Sequence, residues 1–541
     1  MTQLGNRHFL PGASIVVLLA LAALLLPWLG ETLFNSKGEP REAIVAVTML
    51  QSGNWVLPVS HGGDIPFKPP FMAWIIALIA KVFNGGEVNE YISRLPSALA
   101  AIIMCMAGFG WARRVRGDRF AMIFALVTMS SVEVFRAAMA CRLDMVLTAC
   151  MVGAIYMLYD IRENRPRHTV GFRYLGVVAL LTCATLTKGP VGALLPCAVA
   201  GAYRLFRRDR FFPVFFTMAA IALLSLIVPA WWYYEAYKLG GQEFYDLAWE
   251  ENIGRLTGTM SYDSHVNPWW YNFMTLAAGL LPWTLLLIFC LFAARKVRPM
   301  LPPKPAGLLA LVAFVVIVGF YCIPASKRSV YLLPAYPFAC YGIACLIETA
   351  AMGRPLKVFT WVIAVLSVAV PLLFAAIQIF GMPEALRLTA APAPWWGYAL
   401  LLLPMAAGIA WMANRHSPAG HLMVMVWALC LVYPAVIMPS VLNPKSDYHL
   451  LPRISAEGGP DAKVLTIRPE PTYRLFTLNF YLDDAMRCVD SFDEARRYPS
   501  GTVFIVPARV DTTGQGAGFD IRPLSPRSCD HREPINIAIR K

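Results

Sequence analysis

Apolar windows of about twenty residues recur so often along this chain that a water-soluble core is excluded before any motif is read. They fall near residues 12–30, 92–112, 119–138, 142–160, 173–187, 189–205, 211–231, 268–293, 306–323, 331–350, 357–380, 395–413 and 421–440. Of the 541 residues, 58% are hydrophobic and only 15% charged. The pattern predicts an all-α polytopic membrane protein with about thirteen transmembrane helices in residues 1–442. Residues 443–541 are different in kind. There Val464-Leu465-Thr466-Ile467 and Thr502-Val503-Phe504-Ile505-Val506 read as buried strands and Phe492 to Tyr498 as a short helix, which predicts a small α/β domain.

The net charge of +14 does not indicate nucleic acid, because the basic residues are dispersed through alternate loops instead of gathered on one face. Arg113, Arg114, Arg116 and Arg119 share one loop, and Arg162, Arg165 and Arg167 a second; Arg204, Arg207, Arg208 and Arg210 share a third, and Arg295, Lys296, Arg298 and Lys304 a fourth. Loops rich in Lys and Arg stay cytoplasmic, so the amino terminus is expected inside. An odd number of spans then places the carboxyl-terminal domain outside, in the periplasm of a bacterium. Arg7 and His8 ahead of the first apolar run resemble a secretory signal, but no Ala-x-Ala pattern follows and the segment reads as an uncleaved span. Ten of the twelve cysteines lie in or beside spans; Cys488 and Cys529, in the tail, read equally as a disulfide or as two buried thiols.

Two further far-side segments are long enough to hold chemistry. Residues 31–91 contain an amphipathic stretch, Glu42 to Leu50, expected to lie in the membrane interface, and an apolar stretch, Phe71 to Phe83, too short to span comfortably. Residues 233–267 are flanked by Trp231, Trp232, Tyr233, Tyr234, Trp269, Trp270 and Tyr271, rings that most often serve as interfacial anchors. The tail carries no metal-ligand spacing, nucleophile elbow or phosphate loop and reads as a cap or docking module. The spans show no repeat of the kind that marks transporter halves.

Cations on the far side are exceptions to the topology rule and need a reason. Lys68 stands before two prolines, Lys188 in Thr187-Lys188-Gly189-Pro190, and Lys327 with Arg328 before the tenth span. Their shared anion is expected to be a lipid-linked phosphate, with snorkelling to headgroups as the alternative. Asp144, in Arg142-Leu143-Asp144, opens the fourth span where a carboxylate is costly unless paired or used; Arg142 and Arg136 are near enough in sequence to pair with it.

Gly38-Glu39-Pro40-Arg41-Glu42-Ala43, Ser52-Gly53-Asn54-Trp55, Phe67-Lys68-Pro69-Pro70, Arg142-Leu143-Asp144, Thr187-Lys188-Gly189 and Ser326-Lys327-Arg328 ahead of Tyr331-Leu332-Leu333-Pro334 occur in an informative order. In that order they resemble the bacterial aminoarabinose lipid A transferases, relatives of the protein O-mannosyltransferases in the GT-C class. The similarity covers nearly all the membrane part and is weak in the tail. It implies an inverting transferase that takes a sugar from a polyprenyl (undecaprenyl) phosphate and places it on an envelope acceptor, often lipid A, at the periplasmic face of the inner membrane. It also implies that Lys68 and Arg41 hold the donor phosphate, that Asp144 is an essential carboxylate, and that Tyr331 lines the cavity. Lys188, Lys327 and Arg328 match as anion contacts; Arg255 and His265 fall on second-loop elements of the family.

One position departs from the family. Where an Asp-Glu pair usually opens the first-loop motif, Gly38 precedes Glu39. A hydroxyl acceptor on a protein or oligosaccharide needs a carboxylate base, for which Glu39 or Asp144 could serve; a phosphate acceptor is already ionised and does not. The missing carboxylate leaves open a changed acceptor, a changed sugar, or a shifted role for Glu39 or Asp64. A divalent cation could bridge phosphate and carboxylate, although no ligand spacing forces one. A transporter or lipid flippase, the reading from another class, calls for charges deep within several spans and for repeated halves.

Overall fold

The computed structural model describes residues 12–60, 63–66, 68–164, 170–254, 257, 266–292, 305–348, 353–381, 391–414, 418–459, 463–510 and 516–541. Among these, eight helices are long and apolar enough to cross a bilayer, and two bent pairs, Asp118–Met129 with Val132–Ala138 and Tyr271–Gly279 with Trp283–Phe292, raise the number to ten. The remaining expected spans coincide with shorter apolar helices, Ala13–Trp28, Val191–Phe206 and Ala306–Cys322, so length alone does not fix the count at thirteen. The chain is a multi-pass membrane protein.

Phe71–Phe83 has 13 residues, about 20 Å at 1.5 Å per residue, and falls short of the hydrocarbon thickness as its sequence suggests. The helix that contains the expected seventh span does not stop near residue 231. It runs from Phe211 to Trp249 with one break at Gly241, so the second segment begins as a helical extension of that span. Trp232 on that extension is buried and donates from Nε1 to the Val56 carbonyl at 3.1 Å, whereas Trp231, Trp269 and Trp270 are exposed as anchors should be.

Among the described residues, the first three basic loops are laced together by ion pairs. Arg114 pairs with Asp160, Arg116 with Glu348, Arg162 with Asp209 and Arg207 with Glu163. The first loop and the tail meet elsewhere. The tail sheet comprises β1 (Val464–Ile467), β2 (Arg487–Val489), β3 (Val503–Pro507), β4 (Phe519–Ser525) and β5 (Ile535–Arg540), in the order β2-β1-β3-β5-β4. β1 is parallel to both neighbours, and β4 and β5 close the other edge antiparallel. The all-apolar run of β3 is explained by burial on both faces: Val503 and Ile505 join one core cluster, Phe504 and Val506 the other. The expected helix shortens to Phe492–Ala495, and Cys488 and Cys529 are free thiols.

The tail docks on the first loop through many contacts. Tyr481 accepts from the Phe34 amide at 3.0 Å and donates to Glu90, Thr48 donates to Asp484 at 2.7 Å, and Gln51 donates to the Asp483 carbonyl at 2.8 Å.

Candidate functional site

The site is assembled from three carboxylates, Glu39 and Glu42 at the start of the first-loop helix and Asp144 on a membrane helix. Glu39 caps the first-loop helix Pro40–Ser52, whose first-turn proline sacrifices an amide that a helix start leaves unpaired in any case. The Glu39 carboxylate accepts from Arg94 Nε at 2.8 Å, from Arg94 Nη2 at 3.2 Å and from the Cys141 amide at 2.8 Å. Arg94 lies in the membrane helix Glu90–Arg116, is only 1% exposed, and also donates to the carbonyls of Leu29 and Thr32. Burial alone would raise the Glu39 carboxyl; the Arg94 charge reverses this and holds it below its ordinary value.

Glu42, one turn further along, accepts from Lys68 Nζ at 2.6 Å and from Arg41 Nη2 at 2.9 Å. Burial is again outweighed by the two cations, which hold the Glu42 carboxyl down to about 2. Lys68 is pushed down to about 8, first by burial and then by the Arg41 charge, against the pull of Glu42. Pro69 and Pro70 fix the backbone that delivers Lys68 before Phe71–Phe83 begins.

Asp144 sits in the first turn of helix Leu143–Asn164 and accepts from Lys188, the last residue of helix Val170–Lys188. The Lys188 ammonium lies 4.2 Å from the centroid of the Tyr331 ring, and Tyr331 stands beside Tyr321 with centroids 5.7 Å apart. Glu39 accepts from the Cys141 amide, three residues before Asp144, and Glu42 follows on the same helix as Glu39, which brings the three carboxylate clusters together. Gly189, with φ at +88°, ends the helix; a Cβ there would strike Asn252 Oδ1, so the glycine lets the second segment close over Lys188.

The other expected residues divide. Asp64, for which the sequence leaves a shifted role open, is ion-paired with Arg474 of the tail. Lys327 is buried and donates to the carbonyls of Pro324 at 2.7 Å and Asn267 at 3.2 Å, so it clamps the hinge. Arg328 lies beside it, immediately before the 3-10 turn Ser329–Ala335. Arg255 and His265 lie outside the described residues.

Sequence reasoning passed over Arg94 and Glu42. An arginine inside an expected span was the available signal for the first, since charge at membrane depth is costly unless paired. Spacing was the signal for the second, because Glu39 and Glu42 are three residues apart on one helical face. Among the described residues no group of three or more His, Cys, Asp or Glu side chains could hold a metal ion. A cavity of about 450 Å³ lies toward the carboxyl end of the first-loop helix, lined in part by Gln51, Trp55, Lys81 and Asp483, and holds none of the three carboxylates.

Residues 67–233 match the family described as dolichyl-phosphate-mannose-protein mannosyltransferase, a span that includes Lys68, Asp144 and Lys188. The undecaprenyl phosphate-alpha-4-amino-4-deoxy-L-arabinose arabinosyl transferase 2 of Proteus mirabilis is 27% identical over 398 residues, 70% of this chain and 68% of that one. An uncharacterised protein of Aquifex aeolicus is 26% identical over 357 residues, 65% of this chain and 68% of its own. The fold is similar to the crystal structure of ArnT from Cupriavidus metallidurans bound to undecaprenyl phosphate, with a TM-score of 0.75, 20% identity and 98% of each chain covered.

Proposed function

The chain is a membrane glycosyltransferase of the GT-C class, in the family of the aminoarabinose lipid A transferases and protein O-mannosyltransferases, and from that premise we propose its reaction. It moves a sugar from a polyprenyl phosphate donor onto a phosphate of an envelope acceptor, lipid A foremost, at the periplasmic face of the inner membrane. In this reading residues 1–442 are catalytic, and residues 443–541 form a periplasmic module that steadies the first loop.

The observation that carries the reading is the Arg41–Glu42–Lys68 cluster, two cations sharing one carboxylate in a half-buried loop. Such a cluster retains positive charge and donors for a phosphate oxygen in a setting drier than water. As the anomeric carbon–oxygen bond breaks, the departing polyprenyl phosphate gains negative charge, and fixed cations stabilise that change more than the ground state. Attack from the opposite face inverts the anomeric centre. Asp144, held by Lys188, orients that lysine and faces oxocarbenium-like charge, with the Tyr331 ring against the lysine.

A phosphate acceptor is favoured over a hydroxyl by the state of the carboxylates. A hydroxyl acceptor needs a carboxylate base, yet both oxygens of Glu39 accept from Arg94, and Asp144 is paired with the Lys188 ammonium through Oδ1. Glu39 is therefore a positioning residue that ties the first loop to the membrane helices. Mass spectrometry of lipid A and envelope glycans from cells with and without the gene tests the reading. Loss of a sugar from lipid A phosphate is expected; a lost protein glycan would move the acceptor to a hydroxyl, and an unchanged glycan profile with altered solute uptake would overturn the enzyme reading.

A further inference from the structure

Arg142 occupies an unusual place in this site. It lies in the turn between helices Val132–Ala138 and Leu143–Asn164, two residues before Asp144, and its backbone carbonyl accepts from Ser97 Oγ at 3.1 Å. Its guanidinium is packed against Gly38, so closely that a Cβ built on Gly38 would lie 3.0 Å from Arg142 Cζ and collide with Nη2. The side chain is half-buried.

The neighbouring cations have carboxylate partners: Arg94 has Glu39, Lys68 and Arg41 share Glu42, and Lys188 has Asp144. Among the described residues no hydrogen bond or ion pair engages the guanidinium of Arg142. Its guanidinium lies against Gly38, the neighbour of Glu39, and its backbone two residues before Asp144, so it stands between the two. A half-buried guanidinium with five unengaged donors is costly unless something meets it. The carboxylates nearest to it already have their cations, so what it lacks is an anion from outside the chain.

We propose that Arg142 is a phosphate-binding residue of this site, its guanidinium gripping a phosphate ester oxygen of a substrate over the bare backbone of Gly38. The proposal rests on the transferase reading and deepens it, by adding a cation beyond the Arg41–Lys68 cluster. Planar, bidentate recognition suits a guanidinium and a phosphate, and lysine reproduces the charge without the fork. Gly38 is part of the device: any side chain there pushes the guanidinium out of its seat. The phosphate belongs either to the departing polyprenyl phosphate or to a phosphorylated acceptor.

The experiment uses the full chain, purified in detergent, with undecaprenyl phosphate and phosphorylated lipid A as probes. Binding of undecaprenyl phosphate and the KM for lipid A are measured for wild type, Arg142→Gln, Arg142→Lys and Gly38→Ala, each confirmed monodisperse. Arg142→Gln should weaken one of the two by about tenfold or more, with Arg142→Lys intermediate and Gly38→Ala shifted in the same direction. A change confined to undecaprenyl phosphate assigns the donor phosphate; a change confined to the lipid A KM assigns the acceptor. Wild-type binding of undecaprenyl phosphate, with both quantities unchanged in well-folded Arg142→Gln, overturns the role of Arg142 and leaves the transferase reading standing. Failure of the wild type to bind undecaprenyl phosphate brings down both.

Discussion

Asp64 of the first loop and Arg474 of the tail form an ion pair across 410 residues of sequence, both carboxylate oxygens accepting from the guanidinium. The pair lies four residues before Lys68, so the tail holds the strand of loop that delivers Lys68. Removing it with Arg474→Ala should loosen that loop and raise the KM for the donor severalfold, with kcat less affected. The pair is partly open to water, and its own contribution to stability should be modest, about 1 kcal/mol or less. The charge-reversed double variant, Asp64→Arg with Arg474→Asp, should recover part of the loss; no recovery in a double-mutant cycle would show that the loop is held by other contacts.

Lys68 makes the site pH-sensitive. Its ammonium, pushed down to about 8, is charged at neutral pH and loses its proton as pH rises through that value, while Glu42, held to about 2, stays ionised throughout. Affinity for undecaprenyl phosphate should therefore fall as pH rises through about 8. A bound phosphate favours the ammonium, so the limb in kcat should lie above the limb in kcat/KM. Lys68→Arg should abolish that limb, and Lys68→Ala should weaken binding about tenfold at pH 7. Binding titrations at several pH values check the sign.

Glu39 and Arg94 should behave as one structural unit. Arg94 is almost wholly buried, and Glu39→Ala strands its charge, a change that typically destabilises by about 3–5 kcal/mol. Thermal unfolding in detergent should show comparable losses for Glu39→Ala and Arg94→Ala. A catalytic base at Glu39 would instead give a stable Glu39→Gln enzyme slowed by about 10²–10⁴.

The Asp144–Lys188 pair should act on the chemical step. Asp144→Asn preserves shape but leaves Lys188 over the Tyr331 ring without its counter-charge. A fall of about 10²–10³ in kcat is expected, with little change in undecaprenyl phosphate affinity, because the loss is of stabilisation in the transition state. Single-turnover kinetics separate the two quantities.

Much of this architecture was legible in the sequence because the bilayer leaves few choices. Apolar runs near 20 residues must be helices, and β3 announced itself as an unbroken apolar run because both its faces are buried. Periodicity could not show that the Phe211–Trp249 helix continues past the expected span without stopping, since Trp and Tyr serve equally as interfacial anchors and as packing against the first loop. β4 was hidden by its exposed Arg522 and Pro523 at the sheet edge. Among the site residues, Lys68 and Asp144 were found because they break topology and burial rules. Lys327 breaks the topology rule too but meets a ring of carbonyls, and Asp64 meets the tail, partners that no local pattern reveals.

The most direct test of the account is product analysis with purified protein, supplied with undecaprenyl-phosphate-linked sugars and lipid A. The account predicts one undecaprenyl phosphate released for each sugar that appears on a lipid A phosphate, with inverted anomeric configuration and with loss of turnover in Asp144→Asn. Well-folded protein that binds undecaprenyl phosphate yet releases none from any such donor would contradict it.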